Sequence, residues 1–291
     1  MIFDLKALTT LDVQHYLQHI IAPRPICFAS TVDKAGNINL SPFSFFNLFS
    51  TNPPVVVFSP SRRVRDNTTK HTLQNLLEVP EVAINIVDYE MVQQVSLASC
   101  EFPKDTNEFI KAGFTMEQSR QIRPPLVKES KAKMECRVVE IKPLGNVGGA
   151  GNLVICEVLL LHIDETILDG SNRVDQQKLQ HVARLGGNWY CKVTPDNLFE
   201  VEKPNTQLGL GIDALPDDIR NSPVLTGNDL GVLANATAIP GIDTGFMDTT
   251  LSTLLQQENS EERVQAIHRY AQQLIREGAV LKAWQVLLAR S

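Results

Sequence analysis

Cationic and hydroxyl side chains crowd the segment from Ser59 to Thr72, directly after a short apolar run. The four cations of this segment are Arg62, Arg63, Arg65 and Lys70. A helix is predicted to begin at Thr72, and the free N–H groups and positive dipole end of a helix start favour anions. The segment therefore predicts a phosphate site. A solvated basic loop with Thr72 as N-cap remains the alternative.

A second group of candidate residues lies in the stretch that reads NLSPFSFF from Asn39 to Phe46. Small polar side chains alternate there with aromatic ones, which would suit a flat ring with polar edges. The polar members are Asn39, Ser41 and Ser44, and the apolar members are Leu40, Phe43, Phe45 and Phe46. The alternative is that the serines are ordinary turn residues and the aromatics are core.

A third group lies in the stretch HVARLGGNWY from His181 to Tyr190. His181 and Arg184 stand beside two glycines, where a backbone can approach a ligand closely, and Trp189 offers a flat surface. A strand and turn with aromatic packing is the alternative reading.

The elements that must position these groups are mainly strands. Asp33 to Gly36 is a turn signal between two strands, which predicts a β-hairpin. The glycine-rich stretch from Gly145 to Gly151 is flanked by strands, so it predicts a second hairpin and not a dinucleotide-binding turn, which needs a helix directly after it. Further strands are predicted at Val55 to Ser59, Val82 to Val87, Ala132 to Ile141 and Asn152 to Asp164, and helices at Thr9 to Gln18, Thr72 to Leu77 and Tyr89 to Cys100.

The strand pattern ends near Pro204, which predicts one domain over residues 1–204 and a helical extension over residues 205–291. In the extension, apolar side chains recur at helical spacing between Ser260 and Glu277. Helices are predicted at Asp248 to Gln256, Ser260 to Glu277 and Gly278 to Arg290. We expect this extension to pack on the first domain or across a subunit boundary, and not to carry the chemistry.

Composition excludes several classes of function. The 291 residues carry a net charge of −6, which gives no basic footprint for nucleic acid. We expect no membrane span, because no apolar run is long enough, and no signal peptide. Five scattered cysteines favour a reduced, cytoplasmic protein. The pair His15 and His19 and the strand residue His162 lack further ligands at metal spacing, so no metal site is predicted.

With these segments in hand, the chain resembles the flavin reductase-like, FMN-binding split-barrel proteins, the group that includes flavoredoxin. The matching stretches occur in order over about residues 20–190. They read PRPICFASTVDKAGNINLSPFSFF, KHTLQN, AINIV, SCEFPKDTNEFIKAGFT, PPLVKES, MEC, LVICEVLLLHID and VARLGGNWY. The resemblance implies a mainly β fold with some α structure, a six-stranded Greek-key split β-barrel, followed here by the helical C-terminal extension.

The resemblance also implies a homodimer that binds FMN where barrel loops meet the partner subunit. The residues that would line the flavin ring are Ser30, Thr31, Asn39, Ser41, Pro42, Phe43 and Ser44. Those that would hold the phosphate side are Arg62, Lys70, Thr72 and Asn75. His71 stands where the family usually has an acidic residue, so the phosphate assignments depart from the family pattern at that point.

The leading hypothesis is an FMN-dependent oxidoreductase that takes a hydride from NADH or NADPH, with His181, Arg184 or Trp189 bordering the exposed flavin face. The second is an electron carrier that docks a redox partner protein and does not turn over nicotinamide. A third is a scaffold, with or without flavin, whose C-terminal helices recognise a partner. The electron acceptor and the choice between NADH and NADPH stay open.

Overall fold

The computed structural model describes residues 1–201 and 207–289, and the chain divides into two compact units, Met1–Leu198 and Phe199–Ser291. The predicted domain boundary between residues 204 and 205 lies outside the described residues. The first unit is built on an antiparallel sheet with helices beside it, and the second unit is helical. Each unit has a hydrophobic core.

Eleven strands are described in the first unit, and seven of them form its main sheet. The strands are β1 (Cys27–Val32), β2 (Ile38–Phe43), β3 (Phe46–Thr51), β4 (Pro54–Phe58), β5 (Glu81–Ile86), β6 (Met116–Glu117), β7 (Leu126–Val127), β8 (Ala132–Pro143), β9 (Asn152–Ile163), β10 (Val182–Arg184) and β11 (Tyr190–Lys192). The order across the main sheet is β2-β1-β5-β8-β9-β4-β3, and every neighbouring pair is antiparallel.

The β1–β2 hairpin confirms the turn predicted at Asp33 to Gly36. The N–H of Gly36 donates to the carbonyl of Asp33 at 3.1 Å, and Gly36 adopts a φ of 90°, which glycine tolerates without strain. The side chain of Asp33 accepts from the N–H of Asn37 at 2.9 Å, which fixes the return of the chain. This hairpin brings Asn39 to Phe43 alongside β1.

Strand β1 is buried on both faces, including its two hydroxyl residues, Ser30 and Thr31. Cys27 and Ala29 belong to a core cluster with Phe58 of β4, and Phe28 belongs to a second cluster with Phe109. The glycine-rich turn joins β8 to β9 as a hairpin, as predicted, and the dinucleotide-binding alternative is excluded. The resemblance implied six strands. The main sheet has seven because β3 pairs with β4 at its edge.

The helices of the first unit are α1 (Thr10–Ile20), α2 (His71–Glu78), α3 (Val92–Ala98), α4 (Glu108–Ala112) and α5 (Gln176–Leu179). The prediction that a helix starts at Tyr89 was wrong by three residues. The carboxylate of Asp88 accepts from the N–H of Glu90 at 3.0 Å and holds a turn there instead. The N-cap of α2 is Lys70 and not Thr72, which lies inside the helix.

The second unit contains α6 (Asp217–Arg220), α7 (Gly227–Ala234), α8 (Thr249–Leu255), α9 (Ser260–Arg276) and α10 (Val280–Leu288). Trp284 of α10 and Ile267 of α9 are fully buried in its core. The three predicted helices are present, with Asp248 and Asn259 as the N-caps of α8 and α9. The predicted end of the last helix, Arg290, lies outside the described residues. The short helices α6 and α7 were not predicted.

Candidate functional site

A cleft of about 630 Å³ opens in the first unit between α1, the end of β2 and the loop that leads from β4 to α2. Its apolar wall comes from Val13 and Leu17 of α1 and from Phe43 and Phe45 around the end of β2. Its polar wall comes from the loop, which supplies Ser59, Ser61, Arg62, Arg63 and Lys70. A cleft with one apolar wall and one cationic wall suits a ligand that carries both a flat apolar part and a negative charge.

The loop owes its shape to the glycine-rich turn between β8 and β9. The N–H of Arg62 donates to the carbonyl of Ala150 at 2.8 Å, and the N–H of Gly149 donates to the carbonyl of Arg62 at 3.0 Å. A Cβ atom on Gly148 would lie 2.9 Å from the carbonyl oxygen of Val64, closer than real contacts allow. The glycines therefore let two backbones meet, and Gly149 lines the cleft.

The two arginines at the start of the loop are held by loop residues and by Glu101. Arg62 donates from Nε to the side chain of Asn67 at 2.6 Å. Arg63 donates from Nη1 to the carbonyl of Thr69 at 2.8 Å, and its Nε lies 3.1 Å from Oε1 of Glu101. These bonds fix both guanidinium groups before any ligand arrives, which lowers the ordering cost of binding.

Lys70 differs from these arginines because it forms no salt bridge with any residue in the described ranges. It is half-buried, and its Nζ lies 5.6 Å from the centre of the Phe43 ring. Burial, reinforced by repulsion from Arg63, lowers the pKa of the Lys70 ammonium. A partly desolvated cation that forms no ion pair with a described residue is a favourable partner for an incoming anion, although the charge of Glu101 offsets part of the repulsion from Arg63.

The residues predicted to line a flavin ring divide into three sets. Pro42, Phe43 and Ser44 line the cleft. Asn39 and Ser41 line a small adjoining cavity of about 20 Å³, which Lys70 also borders.

Ser30 and Thr31 are buried in β1 and do not line either space. The Oγ of Ser30 is buried and has no hydrogen-bond partner among the described residues. The structure therefore brings the end of β2 and Ser44 to the cleft, and the β1 residues line neither the cleft nor the adjoining cavity.

Of the residues predicted to hold a phosphate, Arg62 and Lys70 line the cleft, whereas Thr72 and Asn75 do not. Thr72 donates from Oγ1 to the side chain of Asn39 at 2.7 Å, and Asn75 donates from Nδ2 to Oγ1 of Thr31 at 3.2 Å. Both are buried, since α2 turns this face toward β1 and β2. Their polar groups thus join helix to sheet, and a contact with phosphate stays a prediction.

Glu108 anchors this buried polar network. Its carboxylate accepts from Nδ2 of Asn39 and from the N–H of Leu40, both at 2.9 Å. Burial raises the pKa of this carboxyl. Sequence reasoning missed Glu108 because its partners lie about seventy positions away along the chain.

His181, Arg184 and Trp189 do not line the cleft. The backbone of His181 forms an isolated antiparallel β-bridge with that of Asp88, and burial lowers the pKa of the His181 imidazole. Arg184 of β10 donates from Nη2 to the carbonyl of Gly187 at 2.6 Å, and Trp189 is 74% exposed. Within one chain these three residues surround the β10–β11 hairpin and do not meet the cationic wall, so their bordering of a flavin stays a prediction.

Arg24 ties this hairpin to the cleft, and sequence reasoning missed it. Its Nη1 donates to the carbonyls of Gln18 and Ile21 at 2.5 Å, and its Nη2 donates to the carbonyl of Leu185 at 2.8 Å. Its backbone pairs with Arg184, and its side chain lines the cleft. The only signal in the sequence is a lone arginine between two prolines.

The histidines considered as metal ligands have other neighbours. Nε2 of His162 lies 2.7 Å from Oε1 of Glu135, which makes His162 a satisfied strand residue. The ring centres of His15 and His19 lie 4.1 Å apart, and the two rings are tilted by 42°. Among residues 1–201 and 207–289, no group of three potential ligands could hold a metal ion.

No helix in the same ranges combines the length and apolar character needed to cross a bilayer.

The chain is similar to a known domain family and to proteins of other organisms. The model of the flavin reductase-like domain family matches residues 20–178. A protein of Aquifex aeolicus, itself uncharacterised, is 38% identical over 173 residues, which cover 60% of this chain and 86% of that protein.

Two solved structures share the fold. Nitrilotriacetate monooxygenase component B from Bacillus cereus matches with a TM-score of 0.65 and 30% identity, over 69% of this chain and 98% of that one. A protein from Shewanella frigidimarina, assigned as a flavin reductase with a split barrel domain, matches with a TM-score of 0.59 and 26% identity, over 70% and 99% of the two chains. These matches confirm the predicted split barrel, to which this chain adds C-terminal helices.

Proposed function

Because this chain belongs to the family of flavin reductase-like domains, we propose that it is an FMN-dependent oxidoreductase whose cofactor lies in the cleft beside Lys70. NADH or NADPH is the proposed hydride donor. The observation that carries the proposal is the half-buried ammonium of Lys70, which forms no salt bridge with a described residue, beside the apolar wall of a cleft of about 630 Å³. An ammonium group beside an apolar wall fits a phosphate attached to a flat ring.

The cationic wall would hold the phosphate. Lys70 and Arg62 line the cleft, and Arg62 is oriented by Asn67, so a doubly charged phosphate would find donors already in place. A phosphate would also stabilise the charged form of Lys70, whose pKa burial lowers. FMN is preferred to riboflavin on this ground, since riboflavin lacks the phosphate.

The wall formed by Pro42, Phe43 and Ser44 would orient the ring. Phe43 is buried and Pro42 half-buried, so this wall is rigid, and the side chain of Ser44 offers a hydrogen-bonding group at the ring edge. Val13 and Leu17 of α1 would exclude water from the opposite side. A bound flavin supplies the capacity to take up a hydride and pass the electrons to an acceptor.

A homodimer is part of the proposal. Leu48 and Phe49 lie on the edge strand β3 and are 57% and 68% exposed, and Phe45 at the rim of the cleft is 43% exposed. Exposed apolar side chains on an edge strand support burial against a second copy. A second chain seated there would lie next to the cleft. A redox partner protein as acceptor and a cytoplasmic location stay predictions.

Steady-state oxidation of NADH and NADPH by the FMN-loaded protein tests the activity. We expect turnover above the rate of free FMN with at least one donor. Turnover at the free-flavin rate with both donors, by a protein that retains FMN, would contradict the reductase proposal and support the electron-carrier alternative. Failure to retain FMN would contradict both.

A further inference from the structure

The first unit contains a second cleft, of about 330 Å³, between the segment that leads into α3 and the β10–β11 hairpin. Its walls include Tyr89, Tyr190, Arg184 and Lys192. It shares no lining residue with the cleft beside Lys70. Its volume is at the lower end of the range of about 300–1,000 Å³ typical of small-molecule sites.

Each cation of this second cleft lies over an aromatic ring. The Nζ of Lys192 is 3.9 Å from the centre of the Tyr89 ring, and Cζ of Arg184 is 4.5 Å from the centre of the Tyr190 ring. A cation held over a ring face keeps its position without a carboxylate partner. Most N–H donors of Arg184 and Lys192 therefore remain available to a ligand. The exception is Nη2 of Arg184, which donates to the carbonyl of Gly187.

The acidic groups nearby are already engaged. Lys131 lies 3.3 Å from the carboxylate of Asp88 and 2.7 Å from that of Glu90. Neither Arg184 nor Lys192 forms a salt bridge with a residue of the described ranges, and no Asp or Glu lines the cleft. Two positive charges thus face one small space whose lining includes no carboxylate, and Glu90, which interacts with Lys192, is shared with Lys131.

The remaining walls are a mixture of apolar and neutral polar groups. Val92 and Val182 supply apolar surface, and Gln93, Ser96 and Asn188 supply neutral hydrogen-bonding groups. We propose that this cleft binds a small aromatic anion, a ring that carries a carboxylate or a phosphate. The ring would pack against the tyrosines and valines, and the anionic group would bridge Arg184 and Lys192. This proposal does not depend on flavin binding.

The test is isothermal titration with two matched pairs of probes, benzoate with benzamide and adenosine monophosphate with adenosine. The Lys70→Met protein is used, because the first cleft could also take up a phosphate. We expect at least one anion to bind in a saturable way, about tenfold or more tighter than its neutral partner, since a hydrogen bond to a charged group contributes about 1.5–3 kcal/mol. Tighter binding of the nucleotide would identify a phosphate ligand, and tighter binding of benzoate an aromatic acid.

Variants locate the binding. Lys192→Met should weaken the anion about tenfold, Lys192→Arg should retain it, and Lys142→Met, which removes an exposed lysine of β8, should leave it unchanged. No saturable binding of either anion, equal binding of both members of each pair, or unchanged binding by Lys192→Met would overturn the proposal. The comparison of charged and neutral probes changes no residue of the second cleft, so it tests the proposal even if Lys192→Met does not fold.

Discussion

The Nε of Arg63 lies 3.1 Å from Oε1 of Glu101, and the other oxygen of that carboxylate pairs with Arg65. Glu101 also lines the cleft beside Lys70. The cationic wall therefore carries its own internal anion, which neutralises part of its positive charge and competes with a phosphate for Arg63.

Replacing Glu101 by glutamine should tighten FMN binding. The change removes a negative charge near the phosphate position, and an exposed charge pair is worth up to about 1 kcal/mol, so we expect an increase of about two- to fivefold at low salt. The increase should shrink as salt is added. Fluorescence titration measures it, with riboflavin as the ligand that lacks a phosphate and Glu140→Gln as the control on β8. Unchanged or weaker FMN binding would contradict this role.

Replacing Lys70 by methionine should weaken FMN binding by about 1.5–3 kcal/mol, because the ammonium would lose a charged hydrogen bond to the phosphate. Riboflavin binding should change little. Calorimetry on the flavin-free protein measures both affinities, and Lys142→Met is the matched control. Equal losses for FMN and riboflavin would mean that Lys70 supports the fold of the cleft and not the phosphate.

Replacing Gly148 by alanine should distort the cationic loop. The added Cβ would lie 2.9 Å from the carbonyl of Val64 and 3.0 Å from that of Arg63, and neither backbone atom can move alone. Crowding of this kind costs about 1–3 kcal/mol of stability. Thermal unfolding and FMN affinity should both fall, whereas Gly170→Ala, where nothing lies within 4 Å of the new Cβ, should change neither. Full FMN affinity in Gly148→Ala would show that the loop does not need the glycine turn.

Replacing Asp248 by alanine should destabilise the second unit. Asp248 caps α8, lies 2.8 Å from Nζ of Lys282 and accepts from the hydroxyl of Tyr270 at 2.8 Å. Loss of a cap and a charged hydrogen bond should cost about 2–4 kcal/mol at neutral pH. Thermal unfolding measures the cost, with Asp243→Ala as a control outside the helices. Equal losses of stability in Asp248→Ala and Asp243→Ala would contradict the stabilising role of Asp248.

The same aspartate gives a pH dependence. Burial alone would raise the pKa of Asp248, but its bonds to Lys282, Leu251 and Tyr270 outweigh it and lower the pKa to about 2 from 3.8. The unfolded chain therefore binds more protons than the folded unit between these values, and stability is lost as pH falls from 3.8 toward about 2. Asp248→Asn should flatten this part of the stability profile. An unchanged profile would contradict the assignment.

Local patterns were sufficient to predict the β1–β2 hairpin, the hairpin around Gly145 to Gly151, and the helix that begins at Ser260. Each depends on residues close together in the chain, such as Asp33 with Gly36, or on apolar side chains at helical spacing. The cationic loop and the end of β2 were predicted as parts of a site for similar reasons, and the structure places Phe43 and Lys70 at the same cleft.

The remainder of the site depends on packing between distant segments, which one sequence does not reveal. The resemblance implied that Thr72 and Asn75 hold a phosphate, which stays a prediction, and within one chain their side chains bond to Asn39 and Thr31. The contribution of α1 and the anchoring role of Arg24 also arise from long-range contacts. Arg184 was predicted to border a flavin, but in one chain it borders the second cleft.

The most direct test of the central claim is a crystal structure of the protein with FMN. The account predicts the phosphate within hydrogen-bond distance of Lys70, about 3 Å, and the ring against Pro42, Phe43 and Ser44. FMN bound elsewhere with this cleft empty, or a phosphate that points away from Lys70, would contradict it.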